Sequence, residues 1–146
     1  MNIRAIVFDE DPQIRSLLWR ILDERGYQVF TFPNPSLCPL YETRQCICPL
    51  NNACSDIVIT DLKMAVMSGL EFISSQKSKG CKMMNIALMS SSWCLEEAET
   101  AKRLGCRLFS KPFPLAEMNA WLEECEKRID PRRELSDWWM KESIDE

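Results

Sequence analysis

Histidine is absent from this chain of 146 residues, and its absence narrows the metal sites that the chain can build. Any metal ion would have to be bound by cysteine thiolates or by oxygen ligands such as carboxylates. Long apolar segments are also missing, since no run approaches the ~20 residues that a membrane-spanning helix needs. The sequence therefore predicts a protein that does not cross a membrane.

No secretory signal can be recognised, because the N-terminus leads directly into the short apolar run Ile3–Phe8 and then into acidic residues. We therefore expect a cytoplasmic protein whose cysteines are reduced unless they bind metal. A basic stripe is missing too, and the formal net charge is −4. Nucleic-acid binding draws on clustered Lys and Arg, so the sequence argues against it.

What the chain does contain is a soluble, globular composition, with 46% hydrophobic and 27% charged residues. Its length fits one domain. Short, continuously apolar runs alternate with stretches of helical spacing, which predicts a parallel sheet with helices on both faces. The predicted strands are 3–8, 27–31, 56–60, 86–89 and 107–110, and the predicted helices are 12–25, 70–79, 95–104 and 115–129.

Polar residues stand at the carboxyl end of four of these strands: Asp9 and Glu10, Asp61, Ser90, and Lys111. In an open parallel sheet those ends form one edge, where ligands bind. We therefore expect the five side chains to meet in one crevice, although they lie far apart in the sequence.

These residue types suit phosphoryl chemistry on a carboxylate. Mg²⁺ prefers oxygen ligands and is usually held by one or two carboxylates together with water and phosphate oxygens. Asp61 could then attack a phosphoryl group, because catalysis of this kind consists mainly of positioning and electrostatic stabilisation. Lys111 would pair with a phosphoryl oxygen as a point charge, and the Ser90 hydroxyl would donate to another.

Four motifs in the same order resemble the response-regulator receiver family of two-component signalling over most of the chain. They are Val7–Arg15, Asp61–Leu70, Met89–Ser91 and Lys111–Phe113. The resemblance implies a doubly wound, flavodoxin-like fold with a five-stranded parallel sheet. It also implies a protein whose partner binding changes when it is phosphorylated.

The resemblance also implies a role for each site residue. Asp61 would be the phosphoacceptor, Asp9 and Glu10 the acidic metal pair, and the main-chain carbonyl of Lys63 a further Mg²⁺ ligand. Ser90 stands where the family has Ser or Thr. Lys111 would be the phosphate-pairing lysine, usually followed by a cis proline.

Partners follow from the same resemblance. Because the chain has no histidine, the phosphoryl donor would be a separate sensor histidine kinase or histidine phosphotransfer protein. A downstream protein would read the phosphorylated surface, and two copies could pair through the last helix and strand. Enzymatic activity would be limited to self-phosphorylation from a donor and autodephosphorylation.

Two positions depart from the family pattern. Ala65 stands where a proline usually follows the phosphoacceptor. The aromatic switch residue usually lies three positions before the lysine, where this chain has Leu108. Phe109 could replace it only if the strand shifted its register, which would turn the ring to the other face, so the sequence leaves open which residue serves.

A cysteine-containing insertion at about 33–55 supports a second hypothesis, a metal- or redox-sensing interaction module on a receiver scaffold. Cys38, Cys46, Cys48 and Cys54 could bind Zn²⁺ or an iron–sulfur cluster. Their spacing contains no C-x₂-C pair, which favours free or disulfide-linked thiols instead. We expect the other cysteines to be core or boundary residues; they are Cys81, Cys94, Cys106 and Cys125.

The predicted organisation is thus a receiver domain over residues 1–130 and an extension over 131–146. The apolar stripe of Leu135, Trp138 and Trp139 predicts that the extension is helical. Its tryptophans would pack either on the domain itself or on a partner.

Overall fold

The computed structural model describes residues 1–38, 52–81 and 83–136. In chain order the strands are β1 (Arg4–Phe8), β2 (Gln28–Phe32), β3 (Asn52–Ala53), β4 (Ile57–Asp61), β5 (Asn85–Ser90), β6 (Arg107–Ser110) and β7 (Glu134–Leu135). Five of them form a parallel sheet in the order β2-β1-β4-β5-β6. This is the predicted five-stranded sheet, and its strand order reverses at β1.

In the described part of the chain, four α-helices connect these strands: α1 (Pro12–Glu24), α2 (Gly69–Ser78), α3 (Leu95–Arg103) and α4 (Leu115–Arg128). A short 3₁₀ turn, Pro35–Leu37, follows β2. Helix α1 begins where the sequence predicts, since the Asp11 side chain accepts a hydrogen bond from the Gln13 amide and Pro12 stands in the first turn. None of these helices has the length and apolar composition that crossing a bilayer requires.

The helices cover both faces of the sheet, as predicted, and each face has its own core. On β1, Ala5 and Val7 point into a cluster that contains residues of α1 and α4, such as Leu18 and Leu122. Ile6 and Phe8 point into the opposite cluster, which includes Phe72 of α2. Because both faces of β1 are covered, its residues are all buried, and its sequence is continuously apolar after Arg4.

Beyond α4 the chain returns to the amino edge of the sheet. The short strand β7 pairs in parallel with β3, so the helix predicted for the extension is wrong at Glu134–Leu135. A buried ion pair holds this return in place, because the guanidinium of Arg133 contacts both carboxylate oxygens of Asp56 at 2.7 and 2.6 Å. Trp138 and Trp139 lie outside the described residues, so their predicted packing stays a prediction.

Candidate functional site

Three of the predicted site residues meet at the carboxyl edge of the sheet. Asp9 follows β1, Asp61 ends β4, and Lys111 follows β6. The Lys111 Nζ lies 2.8 Å from Asp9 Oδ2 and 3.3 Å from Asp61 Oδ1. One ammonium group therefore contacts two carboxylates from two different strand ends.

Hydrogen bonds of the backbone help to position these side chains. The amide of Lys111 donates to the Ser90 carbonyl at 2.8 Å, which ties the end of β6 to the end of β5. The Asp9 carboxylate is almost fully buried and accepts from the Asp11 amide at 2.9 Å as well as from Lys111. Both oxygens of Asp9 thus have donors, which compensates for the loss of water around a buried charge.

The electrostatics of the site follow from burial and from charges in close contact. Burial raises the pKa of the Asp61 carboxyl, the negative charge of Asp9 raises it further, and Lys111 opposes both. Burial alone would lower the pKa of Lys111, but its contacts with Asp9 and Asp61 outweigh burial and raise that pKa. Lys111 is therefore held as a cation, while the negative charge on Asp61 is only partly compensated.

Glu10 points to the loop after the proposed phosphoacceptor, where its Oε1 accepts from the Ala65 amide at 3.0 Å. A proline at position 65 would have no amide hydrogen to give. The departure from the family pattern at Ala65 therefore supplies a hydrogen bond between the ends of β1 and β4. The sequence alone did not indicate this contact.

Ser90 and Lys63 lie near the site but bond to a third residue, Ser92. Within the described chain, the Ser90 hydroxyl donates to the Ser92 carbonyl at 3.0 Å and accepts from the Ser92 amide at 3.1 Å. The Lys63 ammonium donates to the Ser92 hydroxyl at 3.1 Å. The loop after β5 is thus joined to the loop after β4, and the Ser90 hydroxyl is engaged in its own turn.

Leu108 and Phe109 point to opposite faces of β6. Phe109 pairs with Met89 and is buried in the core shared with α1 and α4, whereas Leu108 packs in the opposite core. Trp93 packs in the same core as Leu108, and its indole N–H donates to the Phe109 carbonyl at 3.0 Å. An aromatic ring from the Ser90 loop thus contacts β6 from the face on which Leu108 lies, a contribution that sequence reasoning missed.

Gly69 explains how α2 can start directly beneath the site. A Cβ at this position would lie 2.5 Å from the Asp61 carbonyl oxygen and 2.7 Å from Leu88 Cδ2. The Gly69 amide donates to the Leu62 carbonyl at 2.8 Å. Only glycine permits this approach without displacing the backbone that carries Asp61.

The carboxylate oxygens at this edge of the sheet are the kind of ligand that Mg²⁺ prefers. Across residues 1–38, 52–81 and 83–136, no three Cys, Asp or Glu side chains are grouped as ligands of one metal ion. Mg²⁺ does not need such a cage, because it is usually bound through one or two carboxylates and keeps several waters. Asp9 and Asp61 supply two carboxylates that both contact the Lys111 ammonium. The carboxylate of Glu10 belongs to the same edge of the sheet.

The predicted cysteine site receives no support from the described residues. Cys38 is buried and Cys54 is half-buried, while Cys46 and Cys48 lie outside the described residues. Nothing in the described ranges indicates Zn²⁺ or an iron–sulfur cluster. Cys106 and Cys125 are buried and Cys81 is half-buried, as expected, but Cys94 is exposed, and its thiol accepts from the Glu97 amide at the start of α3.

Comparison with known proteins gives the same fold and a family. The chain is 26% identical over 119 residues to sporulation initiation phosphotransferase F of Bacillus subtilis, which covers 81% of this chain and 89% of that protein. A receiver protein from Pseudomonas putida superposes with a TM-score of 0.71 at 23% identity, covering 85% of this chain and 98% of that one. Chemotaxis protein CheY4 of Vibrio cholerae superposes with a TM-score of 0.68 at 21% identity, covering 86% and 99%.

The two structures are too distant in sequence to carry more than the fold. The family model for the response regulator receiver domain, however, matches residues 5–123, which is most of the chain and includes the ends of all five strands of the main sheet. The chain therefore belongs to the response regulator receiver domain family.

Proposed function

We propose that this receiver domain takes a phosphoryl group on Asp61 in a Mg²⁺-dependent reaction and thereby changes which protein it binds. The observation that supports this most is the Lys111 ammonium, which contacts both Asp9 and Asp61 at the carboxyl edge of the sheet. Receiver domains generally use Mg²⁺ and interact with histidine kinases or phosphotransfer proteins. The relative from Bacillus subtilis is itself named a phosphotransferase.

In the proposed reaction an Asp61 carboxylate oxygen attacks phosphorus and forms an acyl phosphate. The bond from phosphorus to the donor's leaving group breaks, and the leaving group departs with the electron pair. Burial and the Asp9 charge raise the pKa of Asp61, which makes its ionised form more basic than an exposed carboxylate. A more basic carboxylate is a better nucleophile, provided that it stays ionised.

Lys111 would move only slightly during this reaction. It already contacts Asp61, so a phosphoryl oxygen attached to Asp61 would come within reach of the same ammonium. Bound Mg²⁺ would supply compensation for the charge that develops on the phosphoryl oxygens. Asp9, Asp61, Glu10 and the Lys63 carbonyl are the groups that we propose to hold it.

Ser90 would act by exchanging one hydrogen bond for another. Its hydroxyl now donates to the Ser92 carbonyl, and a phosphoryl oxygen on Asp61 would be a stronger, charged acceptor. Turning the hydroxyl toward the phosphoryl group would release Ser92. Because Ser92 also accepts from Lys63, the loops after β4 and β5 would rearrange together.

Trp93 would carry this rearrangement to the surface that a partner reads. It stands three residues after Ser90, packs against the Leu108 side of β6 and bonds to the Phe109 carbonyl. A shift of the Ser90 turn would move this indole and thereby alter the surface near α3 and β6. The added charge of the phosphoryl group would then bias a two-state element, as in other phosphorylation switches.

The test is to incubate the full chain with acetyl phosphate, with Mg²⁺ or with EDTA, and to measure intact mass. We expect one added phosphoryl group in the wild type with Mg²⁺, and none in Asp61→Asn. Asp23→Asn, which removes an exposed carboxylate of α1, should be labelled like the wild type. Equal labelling of Asp61→Asn, or no labelling of the wild type, would overturn the proposal.

A further inference from the structure

Cys54 and Cys81 form a second chemical site at the opposite edge of the sheet from Asp61. We propose that these two thiols are a reactive pair that a hydroperoxide converts into a disulfide. The pair does not take part in the phosphoryl chemistry proposed above, and it differs from the cysteine cluster expected from the sequence because it includes Cys81.

The topology brings the two cysteines together. Cys54 lies three residues before β4 and Cys81 lies four residues before β5, and these neighbouring strands run in parallel from the pair Ile57 and Asn85. Both cysteines are half-buried against the same apolar cluster. The register of the two strands and the shared cluster place the Cys54 and Cys81 side chains close together, and the Cys54 side chain hydrogen-bonds to the Cys81 thiol.

Helix α2 holds Cys81 at this point. Gly80 takes a positive φ of 86° directly after the helix, and the Cys81 amide donates to the Gln76 carbonyl at 3.0 Å. The Cys81 sulfur also receives hydrogen bonds from the Met83 amide and the Gln76 side chain, and the charge of Lys77 acts on it. Each of these groups favours a thiolate at Cys81.

The result is a pair of unequal thiols. The pKa of Cys81 is lowered to about 6, mainly by the hydrogen bond from Cys54, which outweighs the opposing effect of burial. Hydrogen bonds from Met83 and Gln76 and the charge of Lys77 contribute smaller effects in the same direction. By contrast, burial raises the pKa of Cys106, which also feels the charge of Lys77, to about 11. Proximity to the lysine is therefore not enough, and the contact with Cys54 distinguishes Cys81. A thiolate beside a second thiol is the arrangement that oxidises through a sulfenic acid to a disulfide.

The proposed chemistry has two steps. The Cys81 thiolate attacks one oxygen of the hydroperoxide, the O–O bond breaks, and hydroxide or alkoxide leaves while Cys81 becomes a sulfenic acid. The Cys54 sulfur then attacks the Cys81 sulfur and forms the S–S bond. The sulfenic hydroxyl leaves with the Cys54 proton as water, so both cysteines are oxidised and the peroxide is reduced.

The first test maps the disulfide in the full chain. The protein is treated with hydrogen peroxide, its remaining thiols are blocked with iodoacetamide, and it is digested without reductant. We expect a Cys54–Cys81 linked peptide that disappears in Cys54→Ser and in Cys81→Ser, while Cys94→Ser retains it. Cys94 is the control because it is exposed and lies on a different helix.

A map in which Cys54 and Cys81 stay separately alkylated would overturn the proposal. So would a map in which Cys81 is joined to Cys46, Cys48 or Cys106, because the pair would then be assigned wrongly. A phosphodonor assay on the same samples keeps this result apart from the function proposed for Asp61. Failure of the disulfide leaves the labelling of Asp61 unaffected, and the reverse holds as well.

The second test measures the alkylation rate of Cys81 against pH in the reduced protein. We expect the rate in the wild type to level off above an inflection at pH of about 6. Cys54→Ala should move the inflection upward, toward the ~8.5 of an unperturbed thiol. Since only about 3% of an unperturbed thiol is ionised at pH 7, the thiolate fraction of Cys81 at that pH should be up to roughly 30-fold lower in Cys54→Ala than in the wild type. A wild-type inflection near that of an ordinary cysteine would overturn the proposal.

Discussion

At the scale of single residues, Gly69 decides how close α2 approaches β4, the strand that ends in Asp61. In Gly69→Ala the new Cβ would overlap the Asp61 carbonyl, 2.5 Å away, and one of the two atoms must move. We expect a loss of about 1–3 kcal/mol in the free energy of unfolding and slower phosphorylation, because the backbone that carries Asp61 is displaced. Chemical denaturation and the rate of labelling by acetyl phosphate measure the two effects.

Gly26→Ala is the matched control for that substitution. Gly26 has a positive φ of 82°, but a Cβ there would meet nothing within 4 Å. We expect it to cost about 1–2 kcal/mol through backbone conformation alone and to leave the labelling rate unchanged. If Gly69→Ala were phosphorylated as fast as Gly26→Ala, the close approach of α2 would not position Asp61.

Asp61 itself should reduce the stability of the metal-free protein at neutral pH. Its pKa in the folded state is raised above the ordinary value of 3.8 by burial and by the charge of Asp9. The folded state therefore binds the proton more tightly than the unfolded state, and stability falls as pH rises from the unfolded pKa through the raised one. We expect Asp61→Asn to melt at a higher temperature than the wild type at pH 7 in EDTA.

This gain should shrink as the pH is lowered to about 4, where the unfolded carboxyl is also becoming protonated. Thermal melts of both proteins across this range measure it, with Asp23→Asn as a control for removing a surface carboxylate. A difference that is independent of pH, or a less stable Asp61→Asn at pH 7, would contradict the electrostatic description of the site.

At the scale of secondary-structure elements, the loop from β5 to α3 joins the site to β6 through Trp93. Trp93→Phe retains a ring but removes the indole N–H that bonds to the Phe109 carbonyl. If Trp93 follows the Ser90 turn, part of the change in tryptophan fluorescence on phosphorylation should disappear in this variant, while the extent of labelling at Asp61 stays the same. Trp19→Phe, at a half-exposed position of α1, should leave that change in place.

An unaltered fluorescence change in Trp93→Phe would show that the readout passes elsewhere. Leu108 would then be the residue to examine, because it packs in the same core as Trp93 and pairs with Leu88 of β5.

The C-terminal return is the second element with a measurable role. Arg133 pairs with both oxygens of Asp56, a carboxylate that is only 3% exposed. Arg133→Ala would leave Asp56 with the Arg4 amide as a remaining donor, and we expect a loss of about 2–4 kcal/mol in the free energy of unfolding. Chemical denaturation of the full chain measures this loss.

Arg132→Ala is the natural control, since that side chain is 90% exposed and pairs with the surface residue Asp130. We expect a change within about 0.5 kcal/mol. Equal stability of the two variants would mean that the segment around Arg133 contributes little to the receiver domain.

Local sequence signals predicted most of these elements well. The strand predicted at 107–110 is observed at Arg107–Ser110, and the helix predicted at 115–129 is observed at Leu115–Arg128. Both predictions came from apolar patterns bounded by residues that end strands or helices. The extension was harder, because β7 pairs with a segment about eighty residues earlier in the chain. Such pairing depends on the finished fold and has no local pattern in so short a strand.

At the scale of the whole molecule, the parallel sheet separates two kinds of chemistry. The carboxyl edge contains Asp9, Asp61 and Lys111, while the amino edge contains the Arg133–Asp56 pair and the Cys54–Cys81 contact. The first edge could be predicted, since parallel strands must end together and the polar residues directly follow apolar runs. The second could not, because its contacts join loops and a tail whose paths no strand pattern fixes.

The same limit applies to the finer geometry of the site. Strand order predicts that Lys111 and Asp61 lie near each other, but it does not predict that Glu10 bonds to Ala65 or that Ser90 is engaged with Ser92. Those contacts depend on side-chain rotamers and on loop conformations. The Ser90–Ser92 hydrogen bond is nevertheless the contact that the proposed switch would change.

The most direct test of the central claim is to locate the phosphoryl group on the chain. After reaction with acetyl phosphate and Mg²⁺, borohydride reduces an aspartyl phosphate to homoserine, which mass spectrometry of the digested protein assigns to one position. The account predicts homoserine at position 61 and none when Mg²⁺ is removed with EDTA. Homoserine at position 9, at another acidic residue, or at no position would contradict it.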